Sequence, residues 1–165
     1  MFELKPIHKD AVEQALEKAH FYRLLNEPGE AESICLDVLE VEPDNQDALV
    51  TLLLALTDRL SRGYFVGAAQ AKEVLPRIKD EYQRAYFAGL ICERQAKARL
   101  QVGGTGAGFD SYEWLRDAME WYEKAEAIRP PGNDDAILRW NACARIIMRN
   151  HLAPRAADAS EPYLE

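Results

Sequence analysis

The chain has 165 residues and a net charge of −8, with 48% apolar and 29% charged residues. That composition suits a globular chain large enough to bury a sizeable core and is too apolar for a disordered one. The charge is polarised: residues 1–60 carry 13 acidic against 5 basic side chains, residues 61–165 carry 15 of each. An acidic end beside a balanced remainder disfavours generic nucleic-acid binding, which needs a basic footprint.

The amino-terminal MFELKPIHKD has no apolar run resembling a secretion signal. The expectation is a cytoplasmic protein with no membrane span. Cys35, Cys92 and Cys143 are far apart, odd in number and set in apolar helical stretches, which predicts buried free thiols rather than a disulfide framework.

In chain order, the spacing predicts a first helix from about Pro6 to Asn26, with Val12, Ala15, Leu16, Ala19 and Tyr22 on one stripe. Glu27-Pro28-Gly29 breaks it. A second helix begins near Gly29 on the stripe Ala31, Ile34, Cys35, Val38 and Leu39, and Pro43 ends it. So short a turn makes the two an antiparallel hairpin.

The third helix, about Asp44–Arg62, contains ALVTLLLALTDRL, greasy on nearly every side. Its unbroken run, Leu52–Leu56, is far shorter than the ~20 residues a bilayer needs, so other helices must cover it. Gly63 closes it, and a shorter fourth helix spans Ala68–Ile78. The fifth, about Asp80–Val102, contains Gly89, which costs ~1 kcal/mol relative to alanine and so implies close approach by a neighbour. The loop Gly103–Gly108 follows. The sixth helix is expected over about Asp110–Arg129, the seventh over about Asp134–Leu152, and Ala153–Glu165 reads as a loose tail. Nothing alternates as a half-buried strand would. The domain expected is 1–152, all-α.

Helices two and six share a pattern. Ala31, Cys35, Val38 and Pro43 stand at the same offsets as Ala118, Tyr122, Ala125 and Pro130. Self-similarity of this kind marks hairpins that bury their faces only against one another. In these features the chain resembles the tetratricopeptide repeat family, whose unit is a helix pair of about 34 residues. Residues 11–43 fit best, through Ala19, Tyr22, Ala31 and Pro43. The segment from Tyr82 to Pro130 fits through Gly89, Ala118, Tyr122 and Ala125, with an insertion between its helices. The unit around Gln46–Ile78 is degenerate, with bulky Leu53 at a small-residue position.

The resemblance implies a right-handed α-solenoid of about three hairpins plus a capping helix, its groove lined by the first helix of each pair. It implies an adaptor that binds an extended peptide or partner helix without catalysis. Carried over from the family register, the groove residues are His20, Arg23, Tyr86, Leu90, Arg94, Asn141 and Arg145. Glu13, Glu17 and His20 occupy the places of the lysine/asparagine set that grips a terminal carboxylate in the chaperone-binding branch, so chaperone-tail binding is not expected. Arg94 with Arg145 and Arg149 forms an arginine cluster suited to an acidic partner segment.

Two other readings compete. The glycine-rich Gly103–Gly108 loop ahead of a helix suits a small-ligand or nucleotide site. However, a helix precedes it where a dinucleotide fingerprint requires a strand, and the Lys-Ser/Thr ending of a phosphate loop is missing. Its aromatic flank, Phe109, Tyr112 and Trp114, offers anchors for a partner. Self-association through the ends of the stack is the other reading. His8, His20 and His151 lack second ligands at metal spacing, and the carboxylates read as scattered over solvent faces, so no metal, cofactor or catalytic group is expected.

Overall fold

The computed structural model describes residues 1–62 and 66–156. Among the described residues there are seven α-helices and no strand: α1 (Val12–Leu24), α2 (Pro28–Val41), α3 (Gln46–Asp58), α4 (Val66–Val74), α5 (Glu81–Val102), α6 (Ala107–Ala127) and α7 (Asp135–Arg149). Short 3-10 turns at Lys9–Ala11, Arg59–Arg62 and Leu75–Arg77 precede α1, extend α3 and follow α4. The expected closure of the third helix at Gly63, and tail residues 157–165, lie outside the described residues.

Local chemistry explains the ends. Pro28 occupies the first turn of α2, where its missing N–H has no partner to lose. Asn45 caps α3, its side chain accepting from the Ala48 N–H at 2.9 Å. Asp80 does the same for α5 through the Gln83 N–H at 2.7 Å. The fourth helix ends at Val74 rather than Ile78, giving way to a 3-10 turn at Pro76, and the seventh ends at Arg149 rather than Leu152. Two helix starts also differ from the sequence reading. The first helix starts at Val12 rather than Pro6, because His8 is extended (φ −83°, ψ 147°) and the chain passes through a 3-10 turn at Lys9–Ala11 before it. The sixth starts at Ala107 rather than Asp110, because Gly103, Gly104 and Gly106 take positive φ and complete the reversal within four residues.

Each helix packs on its neighbours in sequence, and α1 with α3 and α3 with α5 also touch. The core is in two clusters. One surrounds α3, with Leu49, Leu53 and Leu60 buried among residues of α1, α2, α4 and α5. Burying each such leucine contributes ~1.5–3 kcal/mol. The other joins α5, α6 and α7 through Leu115, Ala118, Tyr122, Ala136 and Cys143. Helix α5 is the wall between them: Leu90, Ile91 and Ala98 face the first cluster, Ala85 and Ala96 the second.

Helices α2 and α6 occupy matching settings. Ala31, Cys35 and Val38 are fully buried between α1 and α3, and Ala118, Tyr122 and Ala125 between α5 and α7. Gly89 has the packing reason expected of it. A Cβ there would lie 2.7 Å from the Tyr122 ring and 3.1 Å from the Ala118 carbonyl oxygen. Gly67 plays the same part between α4 and α3, where a Cβ would lie 2.4 Å from the Leu56 carbonyl oxygen. No helix among the described residues is long and apolar enough to cross a membrane.

Candidate functional site: a cationic cleft between the odd-numbered helices

Along α5 the residues Glu93, Arg94, Lys97, Ala98 and Gln101 fall on one face, at spacings of one, three and four. That face looks toward α3 and α7, and Glu93 at its edge also meets Tyr122 of α6. Ala98, 2% exposed, carries no bulk and keeps α5 close to its neighbours. The result is a cleft of about 360 Å³ lined by Arg23 and Asn26 from α1 and the turn after it, Thr57 and Asp58 of α3, Arg94, Lys97, Ala98 and Gln101 of α5, and Arg139 of α7. Among the described residues, none of the lining comes from α2, α4 or α6.

Two carboxylates organise the cations. Asp58 sits at the last turn of α3 and receives Arg23 from α1, Nε at 2.8 Å and Nη2 at 3.4 Å. Arg94 donates to the same carboxylate from α5, and through the same Nη1 to Thr57 Oγ1 at 2.7 Å. Asp58 thus ties α1, α3 and α5 together at one point. The second carboxylate, Glu93, is fully buried. Tyr122 donates its hydroxyl to Glu93 Oε2 at 2.6 Å, while Lys97 and Arg139 donate to Oε1, the latter at 3.3 Å. A buried charge is tolerable only with this density of partners. Burial, followed by the charge of Glu93, holds the Tyr122 hydroxyl well above the usual phenol range, so it stays a proton donor.

Among the described residues the cleft therefore presents four cationic side chains against two carboxylates, an excess of two positive charges in a chain whose net charge is −8. The Arg23 and Arg94 side chains are each 22% exposed, that of Arg139 37% and that of Lys97 45%. Half-buried charges of this kind are screened less by salt than fully exposed ones.

Of the expected groove residues, Arg23 and Arg94 line this cleft. His20 instead contacts Asp47 at 3.0 Å and links α1 to the start of α3. Tyr86 joins an aromatic group with Tyr82, Phe87 and Tyr122, at ring separations of 5.2–5.9 Å. Leu90 is 1% exposed and belongs to the core, so it offers no surface. Asn141 and Arg145 lie around α7 from Arg139, Arg145 by about a third of a turn. Arg139 therefore takes the place expected of Arg145 in the cationic group, and Arg145 and Arg149 do not line the cleft.

The reading of every carboxylate as a solvated surface group fails at Glu93 and Asp58. Glu93 sits one residue before Arg94 and four before Lys97, inside a helix otherwise rich in small and apolar residues. That spacing was the available signal.

The glycine-rich turn is occupied differently from a phosphate cradle. Its Gly103 and Thr105 carbonyls accept from Arg99 at 2.5 and 2.9 Å, and Arg99 Nε also reaches Asp110 at 2.9 Å. Arg155 closes on Asp110 from the other side at 2.7 Å. A carboxylate stands where an anion would approach the start of α6, so the turn is latched by the protein's own charges. Phe109 is 42% exposed with Arg155 over its ring at 5.4 Å, Tyr112 is half-buried, and Trp114 packs against the second core cluster.

A larger hollow of about 600 Å³, lined by Leu75, Ala88, Trp121 and Ile128 among others, lies over α5 and α6. It draws on neighbouring elements only, and its charged side chains, Glu81, Arg84 and Lys124, stand beside a largely apolar floor. Cys35 and Cys143 are fully buried, and burial pushes each thiol up to about 12. No grouping of three or more potential metal ligands occurs among the described residues. No family model matches the chain, and no curated protein or solved structure matches it either.

Proposed function

We propose that this protein is a non-catalytic adaptor, built on the plan of the tetratricopeptide repeat, that receives an extended peptide or partner helix along the cleft between its odd-numbered helices. The observation that carries this reading is the origin of the cleft lining. Side chains from α1, α3, α5 and α7 converge there, separated by up to 116 positions in sequence between Arg23 and Arg139, and among the described residues none comes from α2, α4 or α6. A helical stack whose first helices line one side would have this arrangement, and the packing of α2 on α1 and α3 and of α6 on α5 and α7 supports it. The mechanism is preorganisation. The Asp58 and Glu93 networks hold the walls in place before a partner arrives, which lowers the ordering cost of binding.

The test places a photo-crosslinking residue at Gln101, which is exposed and lines the cleft, and in a second variant at Ser33, which is exposed on α2. In native lysate, a discrete covalent adduct should form from position 101 and be absent from position 33. Adducts from position 33 with none from position 101 would place the working surface on the other side and overturn the proposal.

A further inference from the structure

We infer that the segment received in this cleft is an acidic peptide, its Asp and Glu side chains entering between Arg23, Arg94, Lys97 and Arg139. The inference rests on the adaptor reading and adds the chemistry of the occupant. Among the described residues, four cations around one opening exceed their two carboxylates by two charges, so the cleft has room in its charge balance for about two more carboxylates. Donors are also to spare. Of the five N–H groups of Arg94, those on Nη1 make all its hydrogen bonds among the described residues, leaving Nε–H and both N–H groups of Nη2 for a ligand. A guanidinium with an open edge and a half-buried setting suits carboxylate recognition.

The rest of the molecule sharpens the preference. Residues 1–60 carry an excess of eight negative charges. An acidic segment would be repelled over most of that end and drawn into this cleft of opposite sign, which steers it. A basic segment would meet the reverse, with attraction outside and repulsion within. A rigid nucleic-acid backbone would present many more charges than the cleft can neutralise and would be repelled by the acidic end.

The experiment measures anisotropy of a fluorescein-labelled decaglutamate peptide, with decalysine, a glycine-serine peptide and decathymidylate as comparators. It uses the full chain and two variants at Gln101, Gln101→Glu and Gln101→Lys. This residue is exposed and makes no ion pair, so both variants keep the fold, which far-ultraviolet circular dichroism verifies. Decaglutamate should bind in preference to all three comparators. Gln101→Glu should weaken it about five- to tenfold and Gln101→Lys strengthen it by a similar factor, both effects shrinking as salt rises from about 0.05 to 0.3 M.

Equal or tighter binding of decalysine, or indifference to both Gln101 variants, overturns the inference. So does decathymidylate bound as tightly as decaglutamate. If the glycine-serine peptide crosslinks at position 101 while decaglutamate does not bind, the acidic assignment falls and the cleft remains a docking site. If decaglutamate binds yet never crosslinks at position 101, both the assignment and the adaptor reading fall.

Discussion

Substituting Tyr122→Phe isolates one atom of the network that holds the cleft. The ring stays, fully buried between Gly89 and the α7 contacts, so apolar burial is unchanged. What goes is the hydroxyl that donates to Glu93 Oε2 at 2.6 Å. Glu93 keeps Lys97 and Arg139 on Oε1, but Oε2 is left facing a phenyl edge where water does not reach, since Glu93 is 0% exposed. A hydrogen bond to a charged acceptor contributes ~1.5–3 kcal/mol, and an unsatisfied buried acceptor forfeits the upper part of that range. The expected loss is about 2 kcal/mol. For a chain of this size that lowers Tm by about 4–8 °C. Urea unfolding followed by far-ultraviolet circular dichroism reads it directly, and the denaturant slope should not change. A loss below about 0.5 kcal/mol would mean that Glu93 needs no partner on that oxygen, and the description of the cleft wall as a preorganised network would be wrong.

Other substitutions and conditions follow from the same structure. Gly89→Ala gains ~1 kcal/mol of helix propensity but drives a methyl into the Tyr122 ring and toward the Ala118 carbonyl, so a net destabilisation of about 1–2 kcal/mol is expected in the same unfolding assay. Gly67→Ala meets backbone rather than a side chain, and its loss should be the larger of the two. Cys35 and Cys143 stay protonated in the folded chain up to about pH 12, against an ordinary value of 9.0. Their contribution to stability is therefore complete below pH 9 and is lost as pH climbs from 9 toward 12, by about 1.4 kcal/mol per pH unit for each thiol. Urea midpoints should fall between pH 8.5 and 10.5, and the double variant Cys35→Ala/Cys143→Ala should show a shallower fall. The same two thiols should react with a disulfide reagent at neutral pH only as fast as the chain opens; rapid labelling in the folded state would contradict their burial.

The fold was readable where one side chain decides the outcome. Pro28, Asn45 and Asp80 act within a turn of their own positions, so helix starts at α2, α3 and α5 follow from the residues alone. The shared spacing of Ala31, Cys35 and Val38 with Ala118, Tyr122 and Ala125 identified two helices in matching settings, because close helix contact restricts size at those positions. Gly89 announced a close approach by the propensity it sacrifices. Gly67 did not, since nothing in the nearby sequence says that a carbonyl of α3 lies against it. The site was legible only in half. Arg23 and Arg94 could be placed by register, but Asp58, Glu93, Lys97 and Arg139 meet through contacts 35 to 46 residues apart, apart from the Glu93–Lys97 pair on one helix. Leu90 was misassigned because α5 is covered on both sides, so a register that exposes one face of an ordinary first helix points here into the core. Arg139 was missed in favour of Arg145 because a rotation of a third of a turn in α7 separates them, and composition alone does not fix that angle.

The central claim is that the cleft shared by α1, α3, α5 and α7 is the surface that receives a partner. It is tested most directly by titrating ¹⁵N-labelled protein with decaglutamate and following the arginine Nε–H resonances. The account predicts that Arg23, Arg94 and Arg139 shift together with one dissociation constant while Arg116 and Arg129, on and just after α6, stay still. Shifts confined to Arg116, Arg129 or Arg155, with the three cleft arginines unmoved, would contradict it.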